Sequence, residues 1–235
     1  MHIRIATWNV ERPTVNGWKR PKRNPIINQQ LQEINADIWI LTETHQIITP
    51  GANYESLSTD KAKFHREGET RATIWSRFPI QTPLNTFDPA VAVCAEIKTP
   101  AGRLIVYGSI ITWAHNKGSD GKAKMWAEHY KSIQAHGDDW AKLSQNGAAL
   151  CAAGDFNETL NESGWYGTKK GRELLRQALD RSHLACLTQD YRVDHICTTK
   201  EWAKKAEVHQ WAAPPFNGKP VSDHGGYHVD LYFDT

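Results

Sequence analysis

The chain is poor in the features that mark a special environment. Its 235 residues include only four cysteines, in "AVCAEI", "ALCAAG", "LACLT" and "DHICTT", and no pair has zinc-site spacing. These apolar, strand-like surroundings read as reduced core thiols, which argues against a disulfide scaffold and against a thiolate metal centre. No segment is apolar enough to span a membrane. "MHIRIATWNV" alternates like a strand and lacks the apolar stretch of a signal peptide, so a cytoplasmic location is expected. A net charge of +2 is too small by itself to mark a nucleic-acid-binding protein. Repeats, low-complexity tracts and long linkers are missing too, so residues 1–235 are expected to form a single domain.

What is present is the composition of a globular protein, 40% hydrophobic and 23% charged, with ten tryptophans available for large packed surfaces and stacking rings. The order of elements is mixed. "HIRIATWN" and "ADIWILTET" read as strands around an amphipathic helix, "NPIINQQLQEIN", whose Ile26, Ile27, Leu31 and Ile34 share a face. "TRATIWSRFPI", "AVAVCAEIKTP" and "GRLIVYGSIITW" read as further strands, punctuated by proline and by Ala101-Gly102. A helix is expected near Lys122 to Leu143, then a strand in "ALCAAGD", a helix in "TKKGRELLRQALDRS" and a strand in "YRVDHICTT". "VSDHGGYHVDLYFD" is expected to be a loop feeding a final strand, and the whole an α/β fold.

Polar residues arrive abruptly where these strands end. "IRIATWN" delivers Asn9, with Glu11 two residues on, and "DIWILTE" delivers Glu43. "LCAAGDFN" delivers Asp155 and Asn157, "YRVD" delivers Asp194, and "VSDH" delivers Asp223 and His224. Each alone suits a turn. Five such events, if the strand ends share one edge, would cluster carboxylates, and such a cluster is costly unless a cation neutralises it. Carboxylate and carboxamide oxygens with one histidine favour Mg²⁺ or Mn²⁺ over zinc. His224, oriented by a carboxylate, would supply acid/base chemistry or positive charge at a phosphoryl oxygen. Ligand type and spacing thus lead to metal-assisted phosphoester cleavage.

"ATWNV", "DIWILTET", "GDFN", "RVDHI" and "SDH", in this order, resemble the motif set of the endonuclease/exonuclease/phosphatase superfamily, over Ile3 to Leu231. The resemblance implies a four-layer α/β sandwich, with two facing mixed β-sheets flanked by helices (DNase I-like) and a site at one end. It implies Glu43 as principal metal ligand, with Asn9 beside it and Asp223 completing the acidic wall; Glu11, two residues past Asn9, reads either as a group behind these ligands or as a surface glutamate. It puts Asp155 and Asn157 at the attacking water and scissile phosphate, and has Asp194 hold His224. Either Asp155 or His224 would be the base, so both are taken as catalytic. Many members carry a histidine or tyrosine on the strand that here reads "VYGSIITW". Ile110 and Ile111 stand there instead, so Thr112 or His115 supplies that contact, or the leaving group is handled differently.

The run "WKRPKR" reads first as a solvated loop; the alternative is that it lines the rim, with Arg20 and Arg23 contacting phosphate beside an aromatic ring. His45, His129 and His209 read as surface or internally satisfied residues. The preferred function is a nuclease acting on DNA or RNA, with no obligate protein partner evident. The alternative is a metal-dependent phosphatase or phosphodiesterase for a small-molecule or lipid-headgroup phosphoester, with Lys169 and Lys170 as candidate pocket residues. A binding module that has lost its chemistry is disfavoured by the intact acidic motifs.

Overall fold

A computed structural model describes residues 1–16, 20–62, 65–162 and 164–233. The first half of the chain gives β1 (His2–Asn9), α1 (Asn24–Ile34), β2 (Ile38–His45), β3 (Glu55–Ser58) and β4 (Glu69–Ser76). Next come β5 (Ile80–Leu84), β6 (Ala92–Thr99), β7 (Gly102–Ile110), α2 (Ala127–Leu143) and β8 (Ala149–Asp155). The last part holds α3 (Lys169–Arg181), β9 (Leu184–Cys186), β10 (Asp194–Thr199) and β11 (Ala206–Trp211). A small hairpin, β12 (Pro215–Phe216) with β13 (Lys219–Pro220), precedes β14 (Gly226–Tyr232).

Two six-stranded mixed sheets result, ordered β11-β14-β1-β2-β4-β3 and β5-β6-β7-β8-β10-β9. Period-2 alternation stacks them. In β1, Ile3 and Ile5 point between the sheets while Ala6 and Trp8 point to α1; in β2, Ile38 and Ile40 do the former and Trp39 and Leu41 the latter. The second sheet repeats this, with Val106, Cys151 and Ala153 inward and Ile105, Tyr107 and Ala152 against α2 and α3. Three apolar seams between four layers are the expected sandwich.

Three sequence expectations shift. "TRATIWSRFPI" is two strands in different sheets, because Ser76 Oγ brackets Phe78 from both sides (2.8 and 3.0 Å) and Pro79 follows, turning the chain across the sandwich. The second helix starts at Ala127 rather than near Lys122, since Trp126 has φ +71° and breaks the helical path. β11 was not anticipated: it is an edge strand, half polar and mostly exposed, without the apolar run that marks a strand in sequence. All four cysteines are free and buried.

Candidate active site

Each sheet has one parallel pair, β1 with β2 and β7 with β8, joined through α1 and α2 respectively. In such units ligands gather outside the carboxyl ends of the strands. Asn9 ends β1, Glu43 lies near the end of β2, and Asp155 ends β8. β10 and β14 run antiparallel to β8 and β1, so their starts reach the same edge and bring Asp194, Asp223 and His224. Parity does the rest. Asn9 shares its phase with Ile3 and Ile5, Asp155 with Cys151 and Ala153, and Asp194 with Ile196, so all three face the space between the sheets.

Glu43 is aimed by a different device. It has φ +45° within β2, a left-handed backbone that a glutamate adopts at a cost of about 1–2 kcal/mol. Glu11 (+52°), Arg12 (+50°) and Asn157 (+48°) share it, so four of the eight positive-φ non-glycine residues among the described residues border one cleft. Strain concentrated at one place makes that place a candidate for function. Gly154 is required for a steric reason: φ is +136° and a Cβ there would collide with Ser109 O on the neighbouring strand.

The cleft has a volume of about 570 Å³. At its floor Asn9 Nδ2 donates to Asp155 Oδ2 (3.0 Å), Asn157 N donates to Asp155 Oδ1 (2.9 Å), and Asn9 Oδ1 accepts from Glu11 N (3.0 Å). His224 Nδ1 donates to Asp194 Oδ2 at 2.6 Å, which directs its Nε2 away from Asp194. Ser222 Oγ donates to Asn9 O (2.7 Å) and Trp8 Nε1 to His224 O (2.9 Å), fastening the 222–224 loop to β1. Asp155 and Asp194 are directly opposed across β8 and β10, a like-charge pairing that is unfavourable without compensation.

The electrostatics follow from this crowding. Burial, and then the neighbouring Asp194 charge, push Asp155 up to about 7. Burial would lower His224, but the charge and hydrogen bond of Asp194 outweigh it and hold the ring at about 10. Glu43 is raised by burial despite Arg12, whose Nε lies 3.5 Å from its Oε2. Asp223 is on the rim, its side chain 73% exposed. Among the described residues, Glu43, Asp155 and Asp223 do not bring three oxygens within 4.8 Å of one another, so the donors form an open wall rather than a closed cage.

Thr112 and His115 line the opposite side, on the loop after β7, with Trp113, Asn116 and Lys117. Arg12, His65 and Arg71 complete the walls; sequence reasoning missed all three, since the strained backbone after β1 brings in Arg12, the β3–β4 connection His65, and the pairing of β4 with β2 Arg71. Glu11 lines the cleft, but Arg23 does not. Its guanidinium turns inward to Glu11 Oε2 (3.1 Å) and Val221 O (2.6 Å), because a partly buried Arg needs acceptors. The side chain of Arg20, and Trp18 and Lys19, lie outside the described residues. Beyond His224 a second hollow of about 470 Å³ is bordered by exposed Trp165 and Tyr191.

The model of the Endonuclease/Exonuclease/phosphatase family matches residues 6–224, from β1 to His224. The chain belongs to this family. It is a phosphoesterase, in a family that is generally metal-dependent. No curated protein sequence gives a significant match. Solved structures share the fold at low identity. An AP endonuclease from Archaeoglobus fulgidus is 16% identical with a TM-score of 0.70, covering 99% of this chain and 100% of its own. The AP endonuclease LMAP from Leishmania major is 13% identical, with a TM-score of 0.73 over 99% and 88%. The 3′ phosphatase NExo from Neisseria, bound to a product DNA hairpin, is 18% identical, with a TM-score of 0.71 over 98% and 100%. Within this family's frame, His129 and Glu158 are internal supports: both are fully buried, His129 joins Thr112 O (2.6 Å) to Glu158 Oε2 (3.2 Å), and so ties the loop bearing Thr112 to the stretch after Asp155.

Proposed function

We propose that the chain is a Mg²⁺- or Mn²⁺-dependent nuclease hydrolysing phosphodiester bonds in DNA or RNA. The observation that carries this is one strand-end cleft joining the Asn9–Asp155 and Asp194–His224 pairs to Glu43, beneath walls bearing Arg12, Arg71 and Lys117. Oxygen donors in an open wall suit Mg²⁺, which takes one or two carboxylates and keeps several waters. Burial is the first cause of the raised Glu43 and Asp155, a cost to their charged forms that a bound cation would offset. Glu43 and Asn9 would hold the ion, with Asp223 at the rim and Glu11 behind; Asn9 Oδ1 keeps a second lone pair beyond its bond to Glu11 N. Bound there, a divalent ion supplies charge for phosphoryl oxygens as negative charge develops on them.

The side chains divide the remaining work. His224, held cationic by Asp194, donates a hydrogen bond and positive charge to a phosphoryl oxygen through Nε2. That leaves Asp155 as the base: each of its oxygens accepts one hydrogen bond and keeps a lone pair for the attacking water's proton. Asn157, whose Nδ2 donates to Ile111 O (2.9 Å), fixes the turn carrying these groups and borders the phosphate position. Thr112 and His115 stand in for the strand histidine or tyrosine of other members.

A polymeric substrate is favoured by cationic walls and by exposed Trp113, Trp165 and Tyr191, which suit backbone tracking and base stacking. The small-phosphoester alternative loses its candidate pocket: Lys169 and Lys170 open α3 away from the cleft, with Lys170 Nζ 4.7 Å from the Tyr130 ring centre. Protein stripped with EDTA is expected to be inert on DNA and RNA and to recover with Mg²⁺ or Mn²⁺. Recovery with Zn²⁺ and with neither of those would reject the oxygen-ligand set.

A further inference from the structure

Away from the cleft, on the α1-facing side of the first sheet, α1 covers only part of the surface. There His209 of β11 pairs in register with His228 of β14, and Asp230 follows two residues on, on the same face. One ligand atom from each of the three lies within 4.8 Å of the others, the only such group of His, Cys, Asp or Glu among the described residues. We propose that His209, His228 and Asp230 form a second metal site, for a borderline transition-metal ion such as Zn²⁺ or Ni²⁺ rather than Mg²⁺.

The donor set selects the ion. Two imidazoles and one carboxylate suit Zn²⁺, Ni²⁺ or Cu²⁺, and Mg²⁺ prefers oxygen alone. His228 Nδ1 is shut off from water and has no hydrogen-bond partner, so this ring carries a nitrogen the protein itself does not satisfy. Asp230 is held by Arg4 Nε at 2.7 Å and Nη2 at 2.8 Å, one hydrogen bond to each oxygen. That is the outer support metal-bound carboxylates commonly have, and it leaves each oxygen a further lone pair. His209 Nε2 is 3.8 Å from Asp230 Oδ2 and 3.9 Å from Glu207 Oε2.

One adjustment is required. The two rings are stacked, 4.6 Å apart and 18° from parallel, and near-parallel rings cannot aim two in-plane lone pairs at one point. His209 is 49% exposed and on an edge strand, so rotation about its terminal torsion, a soft one, is open to it. The ion would then clip β11 onto β14, four residues beyond His224.

Isothermal titration of Zn²⁺ and of Ni²⁺ into the full chain, with excess Mg²⁺ present, tests this. One tight site is expected, with a rise in Tm. His209→Ala should lower its affinity by more than the roughly 10–100-fold that loss of an outer support costs, while His183→Asn, at an exposed position after α3, should leave it unchanged. In the unaltered protein, the ring resonances of His209 and His228 should shift together during the titration. Absence of a tight site, equal affinity in His209→Ala, or shifts that spare these two rings would overturn the proposal.

Discussion

Asp194→Asn keeps the shape of the site and removes one charge that acts in two directions. Asp194 accepts from His224 Nδ1 at 2.6 Å and stands directly opposite Asp155. Without that charge, burial dominates at His224, and the ring should fall from about 10 to its ordinary 6.5 or below. Asp155, relieved of a like charge, should fall from about 7 toward the carboxylate range. Both limbs of the pH–rate profile should therefore move to lower pH together. If catalysis needs the cationic ring and its pKa becomes 6.5, the cationic fraction is about 3% at pH 8, a roughly thirtyfold loss of rate, but about three quarters at pH 6. Stability follows the same signs. The raised His224 contributes stability fully below pH 6.5 and loses it as pH rises through about 10; the raised Asp155 detracts as pH climbs from the ordinary carboxylate value to about 7. The assay is single-turnover cleavage at saturating Mg²⁺ across pH, with NMR titration of the His224 ring in metal-free protein. An equal loss at pH 6 and pH 8, with both limbs in place, would show that Asp194 acts through shape alone and would refute the electrostatic reasoning.

Asp155→Asn and His224→Ala should each lower kcat by roughly a hundredfold or more. Asp155→Asn should leave Tm in EDTA level or higher, because a like charge leaves a crowded strand end; wild-type rate with a large loss of Tm would reduce "GDFN" to a turn. Gly154→Ala should destabilise by about 2–4 kcal/mol in urea unfolding, from the collision with Ser109 O and the strained φ together; a loss within about 0.5 kcal/mol would mean the strand gives way easily. Lys117→Ala should flatten the dependence of log affinity for nucleic acid on log salt by about one unit, and an unchanged slope would remove it from the phosphate path.

The strand-end residues were legible because alternation is local. Once β1, β8 and β10 are recognised, parity alone turns Asn9, Asp155 and Asp194 toward the same seam. The layers were legible for the same reason, since Trp39 and Ile40 declare opposite faces of one strand. What depends on distant partners was not. Nothing near Arg23 says that its guanidinium will close on Glu11 and Val221 rather than reach outward. The left-handed turn at Glu43 has no glycine or asparagine to signal it, and Arg71 joins the wall only because β4 runs beside β2. His209 was read as a surface or internally satisfied residue rather than a ligand, and its pairing with His228 exists only in the register of β11 on β14.

The most direct test is a substrate panel: purified protein with Mg²⁺, beside Glu43→Gln, on single- and double-stranded DNA, RNA, and small phosphomonoesters and phosphodiesters. Cleavage of a nucleic acid by the wild type, lost in Glu43→Gln and weak on the small esters, is the expected result. Turnover of the small esters with every nucleic acid left intact would contradict the assignment as a nuclease.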